Sequence, residues 1–215
     1  MTESATGLIL RARPLTETSL IIHWLTPELG RIATVAKGAR RAKSPFAGKL
    51  DLFYRADLSF NRSRRSDLHT LREINLRETH GAIRQDIVKL RYAAYATALI
   101  EQATETETPL RTVFELLNGF LEVLCKINAA HQVVFALELK LLFELGLEPN
   151  LAETSLTAGT IKIAEILKDK DWESGLRLKL TSAQVAELRQ FLHGFLISHL
   201  GRLPKGRTAA LADAV

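Results

Sequence analysis

The sequence predicts an α+β chain in two parts, a small five-stranded β-barrel over residues 1–80 followed by an all-α helical domain over residues 81–215. Three observations carry this reading. Apolar residues alternate with a period of two from Gly7 to about Leu76, the period lengthens to that of a helix from about Ile83, and the excess positive charge is confined to the first part.

The first strand opens at Gly7, where Leu8, Leu10 and Ala12 alternate with Ile9, Arg11 and Arg13. Strands over Ser19–Leu25 and Arg31–Lys37 follow, separated by Pro27-Glu28-Leu29-Gly30, a turn signal. Ala56, Leu58 and Phe60 alternate with Arg55, Asp57 and Ser59 in a fourth strand, and Leu68–Leu76 makes a fifth. So many short strands in so little chain fit a closed barrel, which leaves no exposed edge, and an OB-type barrel is the most economical solution.

In the second part Ile83, Ile87, Leu90 and Ala94 share one helical face. Thr108-Pro109 reads as a cap followed by a first-turn proline, ahead of a stripe of Val113, Phe114, Leu117, Phe120, Leu121 and Leu124. Val133–Leu145 is apolar nearly all round, which marks a central helix, and Gly146 and Pro149 end it. Thr181 with Gln184 three residues on is a capping-box pattern, and Val185, Leu188, Phe191, Leu192, Phe195 and Leu196 follow it before Gly201 and Pro204. Residues 147–180 mix polar residues with short apolar pieces such as Ile161-Lys162-Ile163 and define no element by periodicity. The tail from Arg202 to Val215 is expected to fray.

The net charge of +5 is unevenly spread: residues 1–80 hold 14 Lys/Arg against 8 Asp/Glu, and the remainder holds 15 against 16. A basic module carried by a neutral one implies an anionic polymer as partner. The single cysteine, Cys125, lies in a helical pattern and reads as a buried inert thiol, so no disulfide framework exists. No secretory leader and no apolar run of bilayer length is present, which leads to the expectation of a cytoplasmic, nucleoid-associated protein without membrane contact.

The chemistry-bearing residues are cations. Lys37-Gly38-Ala39-Arg40-Arg41-Ala42-Lys43 places four positive side chains at the end of the third strand, and Lys49 can join them. Arg62, Arg64 and Arg65 form a second cluster between the fourth and fifth strands. Two such clusters on adjacent loops would flank a groove that tracks a phosphate backbone. Phe46, Phe53, Tyr54 and Phe60 are base-stacking candidates, although strand aromatics are more often core; Phe46, on the loop beside Pro45, is the best of them. No helix-turn-helix, zinc-finger or basic-zipper pattern points to sequence-specific readout. An enzyme is the least supported class: six histidines show no ligand spacing, and no phosphate loop, nucleophile elbow or paired-carboxylate motif occurs, so neither catalytic residues nor a metal or cofactor is expected. The cations alone leave open an OB-fold RNA-binding adaptor and a helical protein-interaction scaffold.

The chain resembles the RecO family of bacterial recombination mediators. The likeness rests on Gly7-Leu8-Ile9-Leu10, Leu25-Thr26 with Gly30, and above all Lys37-Gly38-Ala39-Arg40-Arg41 followed by Lys43-Ser44. It continues through Gly48-Lys49-Leu50, Asp67-Leu68-His69-Thr70-Leu71-Arg72-Glu73, and Phe135 to Gly146 ahead of Pro149-Asn150-Leu151. The resemblance implies an N-terminal OB domain and a helical C-terminal domain. It also implies binding of single- and double-stranded DNA, strand annealing, association with RecR, and docking on the acidic C-terminal tail of single-stranded-DNA-binding protein to help load RecA. It makes Lys37, Arg40, Arg41 and Lys43 DNA-binding candidates on a second ground. Many relatives carry a four-cysteine zinc module after the central helix. Thr154 and Thr157 stand at its opening pair here and no later cysteine follows, so residues 147–180 are expected to be a degenerate, metal-free counterpart held by packing of Ile161, Ile163, Ile166 and Leu167.

Overall fold

The computed structural model describes residues 2–128, 131–169 and 171–212. The chain divides into two compact units, Met1–Gly81 with Thr104–Asn118, and Ala82–Ala103 with Gly119–Val215.

In the first unit β1 (Thr2–Pro14), β2 (Leu20–Thr26), β3 (Gly30–Ala36), β4 (Arg55–Asn61) and β5 (Leu68–Glu78) close into a barrel in the order β1-β2-β3-β5-β4. This is the OB-type barrel that the alternation predicts. In β4 the pattern is strict: Ala56, Leu58 and Phe60 are buried, and Arg55, Asp57, Ser59 and Asn61 are half-exposed. In β1 it is not. Leu8, Ile9 and Leu10 are all buried, because the register with β2 slips between Ile9 and Arg11. The bulge bends a strand that serves two partners, residues 2–8 pairing with β4 and residues 8–14 with β2. Inside, Trp24, Ile22, Ile32, Leu58, Phe60 and Leu71 form the core, with the Trp24 indole N–H donating to Thr34 Oγ1 at 2.9 Å.

β3 and β5 run parallel and pair only over Ala33–Val35 against Leu68–Thr70. That leaves the start of β3 with an open edge. The segment from Thr104 closes it: Arg31 bridges to Thr106 in parallel, the Glu107 N–H donates to Arg31 O at 3.0 Å, the Arg31 guanidinium donates to Thr104 O, and the Leu110 N–H donates to Pro27 O at 3.1 Å. Gly30 makes the close approach feasible. Its φ is +66°, and a Cβ there would overlap the Thr108 carbonyl. Sequence periodicity gave this strap only the role of a helix cap.

The helices are α1 (Ile87–Ala103), α2 (Arg111–Lys126), α3 (His131–Glu144), α4 (Ala158–Asp169), α5 (Trp172–Leu176), α6 (Ser182–Leu200) and α7 (Arg207–Ala210). The face expected for the first of them is wrong in phase. Gly81–Gln85 is a separate 3₁₀ turn, and Asp86 starts α1 by accepting from the Val88 and Lys89 N–H groups. The buried face is therefore Tyr92, Ala93, Ala96, Leu99 and Ile100, while Ile87 is exposed. α3 is buried nearly all round, and Thr181 and Gln184 form the capping box at the start of α6, as their patterns predict. Cys125 is half-buried rather than buried.

Residues 147–180 hold real structure: a 3₁₀ turn at Leu151–Glu153, then α4 and α5. Leu167 is buried and Ile161, Ile163 and Ile166 are half-buried. The Thr154 hydroxyl donates to Leu151 O, and Thr157 donates to Glu187 through both its N–H and its hydroxyl. With one cysteine in the chain there is no four-thiolate zinc module, and among the described residues no His/Cys/Asp/Glu group could hold a metal ion. No helix among them is long and apolar enough to cross a membrane.

The tail does not fray as far as Leu211. Arg207, Ala210 and Leu211 are buried. Arg207 donates from Nε to Glu138 Oε1 at 2.7 Å and from Nη2 to Oε2 at 3.0 Å, while the Tyr95 hydroxyl donates to the same Oε1 at 2.5 Å. Burial, with the Glu138 carboxylate next to it, pushes the Tyr95 phenol well above its ordinary range. A charged residue in the last helix satisfies the one carboxylate buried in the central helix.

Candidate nucleic-acid interface

The loop from Lys37 to Tyr54 is short-range turn on turn, with the Arg41, Ser44, Ala47 and Lys49 N–H groups each donating to the carbonyl three residues back. Gly38 and Gly48, both at φ +70°, supply the left-handed turns. Phe46 is 7 % exposed and packs into the barrel core, so it is an anchor for the loop. That removes the foremost base-stacking candidate and leaves it the core role that strand aromatics more often have. Phe53 and Phe60 are likewise buried and Tyr54 is half-buried against the core. A second tie runs from Arg40, whose N–H donates to Thr18 O at 3.0 Å and whose Nη1 donates to Thr16 O at 3.2 Å. The loop is thus bound to the β1–β2 turn.

On this fixed support Lys37, Arg40, Arg41 and Lys43 are exposed, and Lys49 is half-buried on the same loop. In the β4–β5 turn Arg64 and Arg65 are exposed. Among the described residues none of these seven side chains forms an ion pair. Arg62 differs. It donates from Nε to Glu3 Oε1 at 2.8 Å and from Nη1 to Glu107 Oε1 at 3.2 Å. The hydrogen bond from Arg62 lowers the Glu3 carboxyl below its usual range, and that same bond to Glu3 raises the guanidinium. His69, 1 % exposed and stacked on Phe60, lies with Nε2 3.2 Å from the same Glu107 oxygen, and its Nδ1 accepts from the Ser63 N–H. Arg62 thereby holds the base of the turn while Arg64 and Arg65 project from it.

The two clusters are not on adjacent loops of one rim. Because β3 and β5 are parallel, the loop that leaves the C-terminal end of β3 and the turn that enters the N-terminal end of β5 lie at opposite ends of the barrel. Leu68 pairs with Ala33, four residues before Lys37, so about 13 Å of strand separates the two levels. The outward side of β2 and β3 lies between them, and on it Ile21 and Val35 are buried. The register aligns Arg13, Ile21 and Val35, then Arg11, His23 and Ala33, with Ala12 and Ile22 turned inward. Arg11 and Arg13 are exposed at one side of this face. Their spacing of two on a strand was the signal for a shared outward direction, but a charge count by loops passes over it.

A barrel face of strands 2 and 3, bounded at one end by the β1–β2 turn with its bound cationic loop and at the other by the β4–β5 turn, is the surface on which OB barrels hold oligonucleotides and oligosaccharides. Fixed cations at both ends favour the phosphate-bearing ligand, since each charge-assisted contact to phosphate releases counterions. The class defined so far is an OB-barrel protein with a basic face and a helical second part.

Comparison with known proteins sharpens it. The family model described as "Recombination protein O N terminal" matches residues 1–80, and "Recombination protein O C terminal" matches residues 84–157. The DNA repair protein RecO of Alkaliphilus metalliredigens (strain QYMF) is 28% identical over 231 residues, covering 92% of this chain and 93% of that one. That of Symbiobacterium thermophilum is 30% identical over 225 residues, covering 96% and 86%. That of Exiguobacterium sibiricum is 33% identical over 151 residues, which is 70% of this chain and 60% of that protein. The chain belongs to the RecO family of DNA repair proteins.

Proposed function

We propose that this chain is a recombination mediator that holds single- and double-stranded DNA non-specifically by the phosphate backbone, brings complementary strands together, and helps load RecA on DNA coated with single-stranded-DNA-binding protein. The observation that carries the DNA-binding part is the pair of unneutralised, rigidly mounted cation clusters, Lys37, Arg40, Arg41 and Lys43 at one end of the β2–β3 face and Arg64 and Arg65 at the other, on a RecO-family barrel. Lys49 flanks the first cluster, and Arg62 acts through the turn it anchors.

Annealing needs no bond chemistry and no cofactor. Two DNA strands repel through their phosphates, and a cationic surface that binds both lowers the repulsion and raises their local concentration. The protein is a matchmaker rather than an enzyme, working in the cytoplasm at the nucleoid. RecR and the acidic tail of single-stranded-DNA-binding protein are its partners by family resemblance. No motif assigns docking residues for them. The helical domain, residues 81–215, takes the partner role and residues 147–180 stand where relatives carry zinc. The test is the annealing rate of two complementary oligonucleotides. The protein should raise it and the Arg40→Glu/Arg41→Glu variant should not; a rate equal to that without protein contradicts the proposal.

A further inference from the structure

We propose that Arg13 and Arg11 of β1 are phosphate-binding residues that continue the loop cluster into one track for a single DNA strand along the β1 border of the barrel. The proposal rests on the DNA-binding reading and adds to it the path that the strand takes. The register fixes where both arginines point. Leu8, Ile9 and Leu10 are buried around the bulge, and past it the alternation resumes, with Ala12 packed on the core and Arg11 and Arg13 exposed. Arg13 stands in the row of Ile21 and Val35, and Arg11 in that of His23 and Ala33. Ile21 and Val35 are buried, so the exposed cations of these two rows both lie on β1.

Hydrogen bonds join this border to the loop. Arg40 is tied to the β1–β2 turn twice, its N–H donating to Thr18 O at 3.0 Å and its Nη1 to Thr16 O at 3.2 Å. It therefore stands where β1 ends, with Arg41 and Lys43 following on the same loop. Thr16 lies five residues after Arg11, at most about 17 Å of chain. Phosphates advance about 3.4 Å each along a DNA strand, so the two arginines and the loop can serve about five of them. Charge favours this direction. Among the described residues Arg13 forms no ion pair, whereas at the β4–β5 turn Arg62 is paired with Glu3 and Glu107, and exposed Asp67 follows Arg64 and Arg65 in sequence. The β1 track passes one carboxylate of its own turn, Glu17, which is exposed and holds no ion pair among the described residues. A strand on this path meets that repulsion inside the screening length of about 8 Å at physiological salt.

The test is a salt titration of an oligo-dT of about eight nucleotides, within the site size of one OB barrel, with wild type, Arg11→Gln/Arg13→Gln, Arg11→Lys/Arg13→Lys and Glu17→Gln. The glutamine pair should make the slope of log affinity against log salt shallower by roughly 1.4, the share of two contacts, and weaken low-salt binding at least about fivefold. The lysine pair should keep the wild-type slope, because it keeps the charges. Glu17→Gln should bind about twofold tighter at physiological salt. A glutamine pair with the slope of wild type, or a Glu17→Gln affinity equal to that of wild type, overturns the track and leaves binding by the loop standing. A lysine pair as weak as the glutamine pair marks a disturbed strand rather than lost charge and likewise overturns it. If wild type binds no oligonucleotide, the DNA-binding reading falls and the track falls with it.

Discussion

Arg207→Met tests the reading that the last helix is held by a buried charge. In the native chain Glu138 is fully buried and Arg207 is 3 % exposed, and the pair is bidentate with N–O distances of 2.7 and 3.0 Å. Removing the guanidinium keeps most of the side-chain volume but leaves the carboxylate with the Tyr95 hydroxyl alone. Breaking one partner of such a pair costs about 3–5 kcal/mol, mostly as desolvation that nothing offsets. Replacing both charges removes that term, so Glu138→Gln/Arg207→Met, in which the amide oxygen still accepts from Tyr95, should recover at least about half of the loss. Urea unfolding followed by helical circular dichroism measures both variants. A single-variant loss below about 1 kcal/mol, or a double variant no more stable than the single, refutes the reasoning.

Two further outcomes follow from the barrel. Gly30→Ala places a methyl group onto the Thr108 carbonyl at a backbone φ of +66°, so the strap must leave β3; limited proteolysis should cut within residues 104–110 in the variant and spare them in wild type. Asp57 accepts hydrogen bonds from Arg77 at 2.6 Å and from Thr6 at 2.9 Å, and the Arg77 bond is the main cause of its lowered carboxyl pKa. A depressed folded-state pKa contributes stability that is fully present above the ordinary carboxylate range and is lost as pH falls through the lowered value. Urea midpoints at neutral and strongly acid pH should therefore drop less between the two for Asp57→Asn than for wild type, and an equal drop counts against the pairing.

Local patterns were legible and non-local ones were not. The alternation of β4, the Thr181–Gln184 capping box and the all-round apolar α3 each depend on near neighbours, and each is found where the periodicity put it. The bulge in β1 arises because one strand is shared by β2 and β4, which no window along the chain reports. Likewise the strap at Thr104–Leu110 is polar and reads as an interhelix link, while its backbone completes the edge of β3. The α1 face was misread because the 3₁₀ turn at Gly81–Gln85 resets the helical phase at Asp86. At the candidate site the loop cations were recognisable by charge. Their arrangement was not, since placing the two clusters at opposite ends of one face requires knowing that β3 and β5 are parallel. Arg62 looked like its neighbours Arg64 and Arg65 and is set apart only by Glu3 and Glu107, far away in sequence.

The central claim is that the β2–β3 face holds polynucleotide through its backbone, and a salt titration of oligonucleotide binding tests it most directly. With four to six phosphates neutralised by the two clusters, log affinity should fall against log salt with a slope of roughly −3 to −4. Arg40→Glu/Arg41→Glu should make that slope shallower by roughly 1.4, the share of two contacts, and weaken binding at low salt by at least about tenfold. A variant whose slope and affinity match those of wild type would contradict the account.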